Sequence, residues 1–81
     1  MKTTTNSRGD ISYVFTYALT CAPGSEQLEI IKRADGRFDV FVSTFRKGFR
    51  PSVQCATGVS VENARIAYRD GQRRERAQPL V

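Results

Sequence analysis

The chain has 81 residues, of which 40% are hydrophobic and 26% charged, a composition typical of one small folded domain spanning residues 1–81. Its first ten residues hold no apolar run of signal-peptide length, and no later segment approaches transmembrane length, so we expect a cytoplasmic protein with no membrane partner. The net charge of +5 favours an acidic partner.

The positive charge is concentrated in the second half of the chain. Residues 1–40 carry five cations and five anions, which cancel, whereas residues 41–81 carry eight cations and three anions. Ten of the thirteen cations are arginine, which makes forked hydrogen bonds with phosphate or carboxylate and stacks on flat rings. This distribution indicates a surface for nucleic acid or for an acidic protein face.

The first third of the chain predicts two strands joined by a turn. Residues 1–9 have the character of a flexible N-terminal arm. Residues 11–20 alternate between two faces, one of them aromatic and aliphatic throughout, which is the period of a β-strand. The Pro23–Gly24 pair predicts a turn, and residues 26–33 predict a second strand.

The middle of the chain predicts a hairpin followed by a shorter strand. Asp35–Gly36 separates two apolar runs, and because both positions tolerate positive φ this pair is a strong hairpin signal. Residues 37–45 then form the returning strand, and after a loop residues 52–58 form a shorter fourth strand.

One helix follows. Ser60 is a good N-cap residue, and Glu62 lies in the first turn, where the helix dipole favours a negative charge. Four residues share the face expected to pack on the sheet: Val61, Ala64, Ala67 and Tyr68. Gly71 leaves the helix end open, because a helix that stops at Asp70 would leave residues 72–81 as a flexible basic tail. The predicted fold is α+β: a four-stranded antiparallel β-meander with one C-terminal α-helix packed on one face.

The residue types argue against catalysis. The chain has no histidine, and Cys21 and Cys55 have no metal-ligand spacing, so we expect no metal and no cofactor. We expect the two cysteines to be small buried hydrophobes, and a disulfide remains open if their strands are neighbours. The candidate acid–base carboxylates fall at a turn or at polar strand positions, where carboxylates are normally solvated: Glu26, Glu29, Asp35 and Asp39. We therefore predict a protein that is not an enzyme.

The segment Phe45–Arg50, called the basic tip below, places two phenylalanines and three cations within six residues. Its candidate partner-binding residues are Phe45, Arg46, Lys47, Phe49 and Arg50. Its cations would follow a row of phosphates or meet an acidic protein face, and one phenylalanine would stack on a base or serve as an apolar anchor. In the alternative interpretation Phe45 completes a core strand, Phe49 covers the sheet edge, and the charges only hydrate a loop.

Four arginines on the predicted helix form a second candidate surface. They are spaced i, i+4, i+8 and i+11: Arg65, Arg69, Arg73 and Arg76. If the helix continues to about residue 77, this spacing places them in one row, called the helix stripe below. We include Arg65, Arg69 and Arg73 in the predicted partner-binding surface. The alternative is an ordinary solvated helix face, since arginine is a good helix former.

The sheet itself offers a third surface. An antiparallel sheet with one helix has one covered face and one open face. Ile31, Phe41 and Phe45 would form an apolar patch on the open face. Such a patch favours a protein partner or a homodimer that packs sheet on sheet, so it supports binding over catalysis.

In overall type the chain resembles the anti-CRISPR proteins of phages and mobile elements. The shared features are a chain under a hundred residues, a short sheet with one helix, and a charged, aromatic surface. The resemblance implies inhibition by occupancy of a bacterial defence nucleoprotein complex. Because most inhibitors that mimic DNA are acidic, this basic chain favours contact with an acidic protein patch or with the nucleic acid itself.

These observations lead to one expected function and two alternatives. We expect a non-enzymatic binding protein that sterically blocks a nucleoprotein complex through its basic, aromatic surface. The first alternative is a module that binds RNA or DNA directly with the same residues, and the second is a homodimeric regulatory protein.

Overall fold

The computed structural model describes residues 1–80 and shows five antiparallel strands followed by one helix. The elements are β1 (Lys2–Thr5), β2 (Ile11–Ala18), β3 (Gly24–Lys32), β4 (Phe38–Arg46), β5 (Ser52–Val59) and α1 (Val61–Ala77). The strand order in the sheet is the order in the chain, so the sheet is a meander. The predicted α+β class is confirmed, whereas the predicted number of strands was one too low.

The additional strand, β1, lies in the segment expected to be a flexible arm. Residues Lys2–Thr5 pair antiparallel with residues of β2. In the turn that joins the two strands, Asn6 Oδ1 accepts hydrogen bonds from the backbone N–H groups of Arg8 (2.9 Å) and Asp10 (3.1 Å). All four residues of β1 are exposed. Because β1 buries no side chain, its sequence KTTT lacks the apolar alternation by which a strand is recognised.

The core lies between the sheet and the helix. Its buried members come from β2, β3 and α1: Phe15, Tyr17, Leu28, Ile30 and Ala64. Tyr68 of α1 packs edge-on against Tyr13 and Phe15, with ring centroids 5.7 Å and 5.2 Å away. The aromatic face predicted for residues 11–20 is therefore the face that α1 covers. Val61, predicted for the packed face of the helix, is mostly exposed because it occupies the first helical position, at the margin of the sheet.

The helix continues past Gly71 to Ala77, so residues 72–77 are helical and not a loose tail. Gly71 is buried, and a methyl group in its place would lie 2.6 Å from the ring of Phe15. The glycine therefore serves a close approach of helix to sheet. At the other end, Ser60 Oγ accepts a hydrogen bond from the backbone N–H of Asn63 at 3.1 Å, as expected for an N-cap.

The C-terminal end of α1 closes one edge of the sheet. The pairing of β1 with β2 reaches only as far as Val14. Beyond that point Glu75 Oε2 accepts a hydrogen bond from the Thr16 N–H at 3.2 Å, and the Gln78 carbonyl accepts one from the Ala18 N–H at 2.8 Å. The outer edge of β2 is thus covered first by β1 and then by the helix.

Two carboxylates expected to be solvated are instead largely buried. Asp39 is 7% exposed and lies where the register of β4 against β5 shifts. Its two oxygens each accept a 2.6 Å bond from Arg33, and Oδ1 also accepts from the Gly58 N–H at 3.1 Å. Glu26 accepts from Thr44 Oγ1 at 3.3 Å and pairs with an arginine of α1. Strand position alone did not reveal these partners.

Candidate binding surface

The basic tip forms the turn between β4 and β5. The Phe49 N–H donates to the Arg46 carbonyl at 3.1 Å, and Gly48 takes the left-handed conformation with φ of 85°. At its base, Gly24 of β3 pairs with Arg46, and a methyl group on Gly24 would lie 2.0 Å from the Phe45 carbonyl oxygen. The Lys47 N–H reaches the Pro23 carbonyl at 3.3 Å. The tip is therefore held against the neighbouring β2–β3 turn.

The two phenylalanines of the basic tip lie on different sides of the sheet. Phe49 is 72% exposed and lines a cleft with Thr44, Arg46, Arg50 and Ser52. This cleft is on the side that carries the helix, because Thr44 follows Val40 and Val42 at the two-residue period of the core-facing side of β4. Phe45 is 42% exposed and lies on the open face. Phe45 therefore lies near the end of β4, as the alternative interpretation expects, but outside the core, and Phe49 does not cover the sheet edge.

The cations of the basic tip are not neutralised within the protein. In residues 1–80 no carboxylate lies within ion-pair distance of Arg46, Lys47 or Arg50, and all three are exposed. By contrast, Arg33 is held by Asp39. Because no carboxylate of residues 1–80 neutralises these cations, they and the exposed Phe49 ring are available to contact a partner.

The helix stripe is continuous, and its four arginines are exposed or partly exposed on the side of α1 away from the core. Its charge is partly balanced, because Arg73 Nη2 pairs with Asp70 Oδ1 at 2.5 Å. No ion pair involves Arg65, Arg69 or Arg76 within the described residues 1–80.

The fold brings only part of the helix stripe to the basic tip. Arg73 lines a cleft with the β2–β3 turn, which contacts the tip through Pro23 and Lys47. Arg65 lies at the other end of α1, beside Lys32. The predicted site therefore divides into the basic tip with Arg73 nearby, and a separate row formed by Arg65 and Arg69.

Sequence reasoning missed Arg74, which anchors the C-terminal part of α1 to the sheet. Its guanidinium lies 5.6 Å from the centre of the Tyr17 ring, and it pairs with Glu26 Oε2 at 3.2 Å and with Asp70 Oδ2 at 3.0 Å. Burial, and after it the neighbouring Glu26 carboxylate, raises the pKa of Tyr17 to about 12. Position 74 lies one turn beyond Gly71, on the side of α1 that packs on the sheet. That spacing is the sequence feature from which the contact of Arg74 with the sheet could have been predicted.

The open face is uncovered, as expected, but its apolar patch is interrupted. Phe41 lies between Glu29 of β3 and Cys55 of β5, and Glu29 accepts a 2.5 Å hydrogen bond from the Ser12 hydroxyl. Ile31 and Phe41 are half-buried, whereas Phe45 is more exposed. Because polar side chains separate the apolar ones, the open face offers a partner less continuous apolar area than its composition suggests.

The cysteines and carboxylates provide no metal centre in the part of the chain that is described. Cys21 and Cys55 are both free and exposed, so the expectation that they are buried was wrong. The error arises because Cys21 lies in a turn and Cys55 in the edge strand β5. No group of three or more metal-binding side chains occurs within residues 1–80. No helix in the same residues is both long and apolar enough to span a bilayer.

Comparison of the chain with protein-family models, with curated proteins and with solved structures gives no match.

Proposed function

We propose that this protein is a non-enzymatic binding protein whose basic tip docks on an acidic surface of a protein or nucleoprotein complex. The observation that carries the proposal is a set of cations without an ion pair in residues 1–80, Arg46, Lys47 and Arg50, beside Phe49, whose ring is 72% exposed. Arg73 lines a cleft with the β2–β3 turn, and this turn contacts the basic tip through the bond from the Lys47 N–H to the Pro23 carbonyl.

This arrangement suits binding for two physical reasons. Exposed aromatic and arginine side chains are the residue types that most often dominate interface energetics. The tip is also preorganised by its turn hydrogen bond and by the contact between Lys47 and Pro23, so little ordering entropy is lost when it binds.

In this proposal the protein acts by occupancy, in the cytoplasm, as the resemblance to anti-CRISPR-type inhibitors implies. A basic tip complements an acidic protein patch, or the nucleic acid that a defence complex carries. It does not imitate DNA, whose charge is opposite. The expected result of docking is steric block of a site on the complex.

Direct binding of RNA or DNA is a second candidate, favoured by the cleft around Phe49. Arg46 and Arg50 flank the exposed ring in one cleft, which is the combination that grips a phosphate chain while a base stacks. This candidate requires that free nucleic acid bind at physiological salt, and that affinity fall steeply as salt rises.

The two candidates are separated by fluorescence anisotropy of labelled single- and double-stranded DNA and RNA at low and physiological salt. The protein-docking proposal expects weak binding that is lost with modest salt. It also expects inhibition of target cleavage by at least one of a panel of guide-loaded CRISPR effector complexes. Submicromolar binding that persists at physiological salt would instead establish nucleic acid as the partner.

A charge-reversal pair shows whether the basic tip is responsible. Arg46→Glu is expected to reduce inhibition or binding at least tenfold. Arg37→Glu makes the same charge change in the turn at the opposite end of the sheet and is expected to have little effect. Equal losses in both variants would mean that only net charge matters, and would contradict a site at the basic tip.

A further inference from the structure

We propose that β5 is a self-association edge, along which two copies of this chain pair antiparallel to form one continuous sheet. β5 is the last strand of the sheet, and within residues 1–80 no strand pairs with its outer side. Every residue from Ser52 to Gly58 is exposed. This inference concerns a different surface from the proposed binding site, although Arg46 and Arg50 of the basic tip flank one end of β5.

The two edges of the sheet are treated differently by the fold. At the β1 edge the strand has only four residues and carries Lys2, and Glu75 and Gln78 of the helix occupy the N–H groups of β2 that β1 leaves unpaired. β5 has eight residues and no charged side chain. Short strands, lysine and helix cover are the devices by which proteins prevent edge pairing, so their absence from Ser52–Val59 leaves this edge able to accept a strand.

The geometry of the β5 edge favours a second copy of this chain as the partner that pairs with it. A two-fold axis perpendicular to the sheet makes two β5 strands antiparallel and keeps both helices on the same side. Each residue at the axis then faces its own counterpart, and Cys55 lies near the middle of β5. With Cys55 at the axis, position i faces position 110 − i, so residues 52–58 of the two copies pair with one another.

The charges at the two ends of β5 complement each other in this arrangement. The cations Arg46 and Arg50 stand at the start of β5, and Glu62, an exposed carboxylate with no ion pair in residues 1–80, follows its end. Antiparallel pairing about Cys55 places Arg50 of one copy beside Ser60 of the other, next to Glu62. Parallel pairing would set the two basic tips side by side, where they would repel.

The association is tested first by sedimentation equilibrium of the full chain across a range of concentrations. We expect the mass to double with concentration, and Cys55→Lys to return it to the monomer because two like charges then face each other at the axis. The control, Thr4→Lys, places the same charge on the exposed strand β1 and is expected to leave the dimer intact. A wild-type chain that stays monomeric at several hundred micromolar would overturn the proposal.

A second variant distinguishes edge pairing from packing of the two open faces. Phe41→Glu changes the open face one strand away from the edge, so an edge dimer should survive it and a face-packed dimer should not. Loss of the dimer in Phe41→Glu with retention in Cys55→Lys would also overturn the proposal.

Cross-linking provides a measurement that does not depend on a destabilising substitution. Residues directly opposite in an antiparallel pair have Cα atoms about 5 Å apart, which is within disulfide range. Mild oxidation of the Cys21→Ser variant is therefore expected to give a covalent dimer through Cys55. If the product forms only at the random-collision rate seen for the Cys55→Ser variant, in which only Cys21 remains, β5 is not the interface.

Discussion

Gly71 lies directly against the ring of Phe15: a methyl group at position 71 would stand 2.6 Å from Phe15 Cδ2 and 3.0 Å from Leu28 Cδ2. Phe15 is fully buried between the helix and the sheet, so its ring cannot move aside easily. This contact sets the distance between the two layers of the protein at the centre of its core.

Gly71→Ala is therefore expected to destabilise the protein by about 1–3 kcal/mol, the usual cost of overpacking a core. Alanine is the better helix former by about 1 kcal/mol, so a gain in stability would be expected if the helix alone decided the result. Urea unfolding gives the comparison, with the exposed Gln72→Ala as the control. A midpoint for Gly71→Ala at or above that of the wild type would contradict the packing argument.

Asp39→Asn is expected to lower the free energy of unfolding at neutral pH by about 1–3 kcal/mol, because Arg33 loses its charged partner and the Gly58 N–H loses a strong acceptor. Asp35→Asn is the control, since Asp35 is exposed at a turn. Chemical unfolding of both variants at pH 7 measures the difference. Equal free energies of unfolding in the two variants would show that the buried pair contributes nothing.

The Asp39 carboxylate is also expected to make the stability of the protein depend on pH. The hydrogen bonds from Arg33, with a further one from the Gly58 N–H, hold the pKa of Asp39 below its usual value of 3.8. A group whose pKa is lowered by folding stabilises the protein above its unfolded pKa, and that stability is lost as the pH falls through the folded pKa. We expect melting temperatures to fall below about pH 4, and to fall less steeply in Asp39→Asn. Identical slopes would contradict the assignment.

Gly24→Ala is expected to disturb the basic tip, because the new methyl group would meet the Phe45 carbonyl oxygen at 2.0 Å and φ at this position is +140°. Gly36→Ala is the matched control: its φ is also positive, but no atom lies within 4 Å of the added methyl group. Both variants are strained, and the larger loss of stability is expected at position 24. Backbone amide shifts of Lys47 and Phe49 should change only in Gly24→Ala.

Phe49→Ala is expected to leave the free energy of unfolding within about 0.5 kcal/mol of the wild type, because the ring is mostly in solvent. Phe15→Ala removes a fully buried ring of the same type and is expected to cost about 3–5 kcal/mol. If Phe49→Ala were as damaging as a core substitution, the ring would be a structural plug and not a binding group. Thermal or urea unfolding of the two variants decides between these roles.

Sequence patterns predicted the elements that bury side chains in a regular period. The alternation in residues 11–20 placed β2 correctly, and the hairpin signal of Asp35–Gly36 matches a turn closed by Arg33 and Arg37, with a backbone bond of 2.7 Å. β1 was missed because it is fully exposed and is held by backbone pairing alone. The sequence of such a strand therefore contains neither buried apolar positions nor the two-residue apolar period by which strands are predicted.

The remaining errors come from contacts between residues distant in the chain. Whether Gly71 ends a helix or fits against a ring depends on Phe15, 56 positions earlier. The burial of Asp39 depends on Arg33 and on the register shift near Gly58, and Arg74 gains its partners only when α1 docks on Glu26. Local patterns cannot contain these pairings, because each is created by the tertiary fold.

The bond between the Ala18 N–H and the Gln78 carbonyl has a consequence for folding kinetics. Every pairing within the sheet joins neighbours in the chain, so the strands can assemble as successive hairpins, each forming in about 1–10 μs. Docking of α1 closes a loop of roughly sixty residues, for which the entropic cost grows slowly with length. We expect the docking of α1, which brings together residues far apart in the chain, to be the step that sets the folding rate.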